Sequence, residues 1–209
     1  MDYLRQLIER YPQLSSVQND IKKAYYLLEE SFSKNGKLLI AGNGGSAADA
    51  EHIAGELMKS FVKKRPISSN LISRMKEIDP ECSDYLGTAL QQGLPVIALN
   101  VQTPLLTACI NDIDGDIIYA QQVLGYGNPG DVFLGISTSG NAKNVYYALI
   151  TAKAKQMKTI ALTGGTGGIL KNFADVSIVA PEKETYKVQE LHLPIYHALC
   201  LMIEEHFYP

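Results

Sequence analysis

The sequence predicts an α/β fold, a parallel β-sheet flanked by helices, with further helices at the N-terminus. Three observations carry this. Short apolar runs of strand length recur at residues 37–41 (KLLIA), 95–100 (PVIALN), 131–136 (DVFLGI), 159–162 and 176–179. Runs without polar alternation mark strands buried on both faces, the habit of parallel sheets. Two of the runs lead through a polar loop into a helical pattern, and strands alternating with helices define the class. A long helical pattern over residues 188–206 closes the chain.

The elements follow in order. Over residues 1–33, Tyr3, Leu4, Leu7 and Ile8, then Val17, Ile21, Ala24, Tyr25, Leu28 and Phe32, recur at helical spacing on either side of Pro12. Gly36 is read as the helix stop. After the strand at 37–41 comes Gly42-Asn43-Gly44-Gly45-Ser46, with Ser46 expected to cap a helix carrying Ala47, Ala50, Ile53, Ala54 and Leu57. The unit recurs as the strand 131–136, the loop Ser137-Thr138-Ser139-Gly140-Asn141 and a helix from Ala142 to about Ala154. Residues 64–95 are the least regular, broken by Pro66, Pro80 and Pro95, with a short helix expected over 71–78.

A chain of 209 residues, 46% hydrophobic and 20% charged, makes one domain with a core of useful size. The formal net charge of −3 gives no basic face, so no nucleic-acid partner is expected. No apolar run reaches membrane-spanning length, and the opening MDYLRQLIERYPQL lacks a signal peptide's apolar block. Neither a membrane partner nor secretion is expected, and the setting reads as cytoplasmic. The three cysteines, Cys82, Cys109 and Cys200, are widely spaced and read as reduced core thiols.

Two loops are suited to an anion. A glycine-rich turn between strand and helix exposes backbone N–H groups at a helix N-terminus, where the dipole favours negative charge. Residues 42–46 fit that role, and so do residues 137–141, with three hydroxyls to donate. Each alone also reads as a tight turn or a helix cap. Two together at strand C-terminal ends point to a ligand, because open parallel sheets bind there. Neither loop is a P-loop or a GxGxxG fingerprint, which counts against ATP and NAD. The segment 163–168 has no hydroxyl cluster and reads as a flexible turn.

His52 and Glu56, at i and i+4, share a helix face, an available acid–base pair or half of a metal site. Alone, the pair also reads as a solvated surface contact. On the closing helix, Gln189 and His197 lie about 80° apart around the axis and can converge, whereas His192 and His197 differ by about 140° and do not.

With these residues in view, AGNGGSAADAEHIAGEL, ISTSGNAKNV and KVQELHLPIYH together resemble the sugar isomerase (SIS) domain family, in particular its phosphoheptose isomerase branch, over almost the whole chain. The resemblance implies a single SIS domain over 1–209 with an N-terminal helical segment over 1–35. It implies a five-stranded parallel sheet, a homotetramer, and isomerisation of a phosphosugar, sedoheptulose 7-phosphate, in heptose biosynthesis. Asn43, Gly44, Ser46, Asn111, Asp112, Ser137, Thr138, Ser139 and Gln189 would contact the substrate, and Glu56 and His197 would form the acid–base pair. A zinc ion would take His52, Glu56, Gln189 and His197. The chain departs from the pattern at Ala142, where many members carry serine, and at Tyr186 and Lys187. Residues 68–92 stand as an insertion relative to the family. Non-catalytic SIS proteins that bind phosphosugars or a replication initiator are the alternative, and the intact His/Glu and Gln/His set favours the enzyme.

Overall fold

The N-terminal helices of the computed structural model, which describes residues 2–209, are α1 (Asp2–Arg10) and α2 (Gln18–Ser33). A 3-10 turn over Pro12–Val17 joins them, with proline at a first-turn position that needs no N–H donor. Asn35, not Gly36, takes the positive φ that turns the chain out of α2. Strand β1 (Leu38–Ala41) and helix α3 (Gly45–Met58) follow, then α4 (Ser69–Ile78), α5 (Pro80–Ala89) and β2 (Val96–Ala98). Next come α6 (Thr103–Asp112), α7 (Ile118–Tyr126), β3 (Val132–Ser137) and α8 (Lys143–Ala154). The chain ends with β4 (Lys158–Gly164), α9 (Leu170–Phe173), β5 (Val176–Ala180) and α10 (Thr185–Phe207).

The five strands among the described residues pair in parallel in the order β2-β1-β3-β4-β5. Alternate side chains serve two cores. Leu38 and Ile40 face a core built with α1, α2, α3 and α10, while Leu39 and Ala41 face a second one built with α7 and α8. Helix α3 contributes Ala50, Ile53 and Leu57 to the first, and α8 contributes Val145, Ala148 and Leu149 to the second. The helices after the neighbouring strands β1 and β3 therefore leave on opposite faces. The loops between them part at a topological switch point, where open α/β sheets hold ligands.

Two further expectations need correction. Residues 64–95 hold two helices, not one: Asp79 closes α4 and caps α5 by accepting from Cys82 N–H at 3.0 Å, and Pro80 starts α5. The hairpin leaves and returns at one place, since Gln92 N–H donates to Arg65 O at 2.7 Å and Pro66 bridges Gln91. Cys82 sits on this hairpin and is exposed, whereas Cys109 and Cys200 are buried; all three are free thiols. Helices α6 and α7 are additions to the elements expected from the sequence.

Candidate active site

Gly44, at φ 55°, starts α3 without a side-chain cap, so Ser46 is not the cap expected of it. Ser46 lies inside the first turn, buried, with its N–H donating to Asn43 O at 3.0 Å. A Cβ at Gly45 would meet the Gln189 amide of α10, the far end of a side chain that can turn aside.

A cavity of about 420 Å³ opens at the switch point, lined by Asn43, Gly44, Gly45 and Ser46 on one side, Ser137, Thr138, Ser139 and Ala142 on another, and Thr185 and Gln189 from α10. The two loops singled out in the sequence thus share one cavity, into which the N-terminal ends of α3 and α8 both open. None of the residues lining it carries a charge. An anion there would be met by hydroxyls, backbone N–H groups and two helix termini. Ala142 brings only a methyl.

The loops are braced from behind. Asn43 and Asn144 exchange amide hydrogen bonds at 2.9 and 3.0 Å, and Tyr119 Oη donates to Gly42 O at 2.6 Å. Gly164 N–H donates to Thr138 O at 3.0 Å, and Ile169 N–H to the Asn141 side chain at 3.0 Å. The glycine-rich segment 163–168 therefore supports the hydroxyl loop. Asn111 and Asp112 end α6, exposed and bonded to each other, and they are absent from the cavity lining.

One turn and more along α3, His52 and Glu56 meet His197 of α10. His52 Nε2 lies 3.2 Å from Glu56 Oε1 and 3.5 Å from His197 Nε2. The other His52 nitrogen, Nδ1, lies 3.0 Å from Tyr196 Oη, which donates to Asp49 Oδ1 at 3.2 Å. Tyr196 and Asp49 thus fix the His52 ring. Lys59 Nζ donates to Glu56 Oε2 at 3.2 Å. Burial first, then the neighbouring His52, lowers the His197 pKa, with Glu56 pulling the other way. His192 is on another face, buried, with Nε2 3.1 Å from Thr163 O.

The four expected zinc donors are not drawn around one point. Glu56 and His197 both approach His52, which stands between them, and Gln189 stays at the glycine loop. Among the described residues no group of three or more His, Cys, Asp or Glu side chains is arranged to hold a metal. The donor chemistry itself, two imidazoles with a carboxylate in reach, suits zinc.

Sequence reasoning missed the supports: Tyr119, Asn144, Asp49, Tyr196 and the buried pair Arg65 and Glu204. Asp49 had a signal, since it precedes His52 by three and Glu56 by seven and so shares their helix face.

The family model of the SIS domain matches residues 2–89 and 83–164. The chain belongs to the SIS domain family. The phosphoheptose isomerase of Helicobacter pylori (strain P12) is 39% identical over 194 residues, covering 93% of this chain and 88% of the relative. That of a Nitratiruptor species is 37% identical over 207 residues, 97% of each. Among solved structures, the phosphoheptose isomerase of Neisseria gonorrhoeae superposes with a TM-score of 0.75 at 32% identity over 96% of this chain and 94% of that one. The one from Francisella tularensis gives 0.77 at 29% identity over 98% and 95%. Within the SIS family, this chain falls among the phosphoheptose isomerases.

Proposed function

We propose that the chain interconverts sedoheptulose 7-phosphate and the aldose heptose 7-phosphate through an enediol, in heptose biosynthesis. The observation that carries the reading is one cavity lined by both anion-suited loops, at the start of the same two helices that bring His52, Glu56 and His197 together. The relatives named above carry that activity in their names.

The proton on carbon 1 of the ketose is weakly acidic. Its removal needs a close base and stabilisation of the developing oxyanion. Glu56 takes that proton, giving the cis-enediol, and His197 is the partner acid through which a proton returns to carbon 2. Phosphate held by Ser46, Ser137, Thr138 and Ser139 supplies remote binding energy that positions the reacting carbons. A zinc ion held by His52, Glu56, Gln189 and His197 would require these side chains to turn toward one point and would compete with proton transfer for Glu56 and His197; when bound it supplies a Lewis acid for the substrate oxygens. Assembly as a homotetramer is part of the proposal, supported by the exposed Ile110, Ile113 and Leu124, and light scattering in solution checks it.

The test is turnover of sedoheptulose 7-phosphate followed by NMR with Glu56→Gln and His197→Ala. Each is expected to lose about 10²–10⁴-fold in kcat, the usual share of a positioned acid or base, with the circular dichroism spectrum of the fold retained. Wild-type turnover in both variants overturns the assignment.

A further inference from the structure

Behind Glu56 lies a charge pair with no part in the chemistry above. Arg65 and Glu204 are both fully buried. Arg65 Nε and Nη2 reach Glu204 Oε1 at 2.9 and 2.7 Å. The same guanidinium donates to Leu57 O at 2.7 Å and to Glu56 O at 3.2 Å, carbonyls of the last turn of α3. Glu204 in turn accepts from Phe61 N–H at 2.8 Å, Val62 N–H at 2.9 Å and Lys63 N–H at 3.2 Å. The Phe61 ring packs on His197, with centroids 5.4 Å apart.

Together these contacts tie the two helices that carry the acid–base groups through the segment 61–65, which holds the end of α3 on one side and α10 on the other. Glu204 is seven residues beyond His197 on α10, two helical turns along the same face. Arg65 grips the backbone of Glu56 itself. The fork geometry matters, because only arginine can hold a carboxylate and two carbonyls from one planar group. A buried ion pair is weak as a source of stability, since desolvation offsets much of the attraction. Its value here is in fixing geometry.

We infer that Arg65 and Glu204 are positioning residues for the isomerisation, setting the distance of Glu56 from His197 by locking the end of α3 to α10. This rests on the acid–base reading above. The pair lies away from the phosphate cavity, so loosening it acts on the chemical step and leaves phosphate capture alone.

The experiment compares Arg65→Lys and Glu204→Gln with wild type at a temperature where circular dichroism shows each folded, with rates taken per folded molecule. Lysine keeps the charge and loses the fork; glutamine keeps an acceptor for the backbone N–H groups and loses the charge, so one variant serves if the other does not fold. We expect kcat to fall about tenfold or more, a modest share of what an ångström of misplacement can cost. KM should stay within about threefold, and the isotope effect on kcat with substrate deuterated at carbon 1 should be larger than in wild type, because proton transfer becomes more fully rate-limiting. Loss of folded protein alone scales the rate and moves neither KM nor the isotope effect. A kcat within twofold of wild type, or a loss confined to KM, overturns the inference. A wild-type enzyme that does not turn over the heptose phosphate would instead overturn the acid–base reading.

Discussion

His192 shows how much the surroundings decide what a residue does. It shares a helix with His197 but none of its chemistry. Burial lowers its pKa from the ordinary 6.5 to about 4, with the Thr163 carbonyl pulling the other way. The folded state therefore favours the neutral ring. An unfolded chain takes up a proton first as pH falls below 6.5, so stability drops between pH 6.5 and about 4 and levels off below. The full loss is about 3 kcal/mol at about 1.36 kcal/mol per pKa step. Urea titrations across that range are expected to show the decline in wild type and a flatter profile in His192→Gln; equal slopes would contradict it. The sequence places His192 and His197 on different faces from angle alone. Angle cannot reveal that His52 stands between Glu56 and His197, because that depends on how α3 crosses α10.

At the scale of elements, most helices with a long buried apolar stripe are legible, though burial alone does not decide it: α7 buries Tyr119, Gln122 and Val123 and is not among the elements expected from the sequence. The helices α1, α2, α3, α8 and α10 bury regularly spaced side chains, and the sequence pattern puts each near its observed bounds. Helix α5 buries only Ser83 and α6 only Cys109, so burial leaves little periodic trace in them, while α4 buries none of its residues and is still legible over 71–78. The hairpin of α4 and α5 leans on itself and is tied at Pro66 and Gln91. Few buried apolar contacts mean low local stability. Amides over residues 69–89 are expected to exchange with deuterium well before those of β1 and β3, measured by mass spectrometry. Protection equal to that of the sheet would mean that another copy of the chain covers the hairpin.

At the scale of the molecule, function follows from strand order. With β1 beside β3 and their helices on opposite faces, two loops far apart in sequence become the walls of one cavity. The loops themselves are readable from their glycines and hydroxyls, and so is the His52 and Glu56 face. Their joint address is not, since it requires the crossover. A second cavity of about 380 Å³ is lined by His197 itself and by Arg10, which supplies the cationic group that the first lacks. The two make opposite demands on a phosphorylated substrate. The decisive measurement is a crystal structure of the Glu56→Gln variant with sedoheptulose 7-phosphate bound. The phosphate is expected on the hydroxyls of Ser137, Thr138 and Ser139, with carbons 1 and 2 within reach of residue 56 and His197. A phosphate seated on Arg10 in the second cavity, with the loops empty, would contradict it.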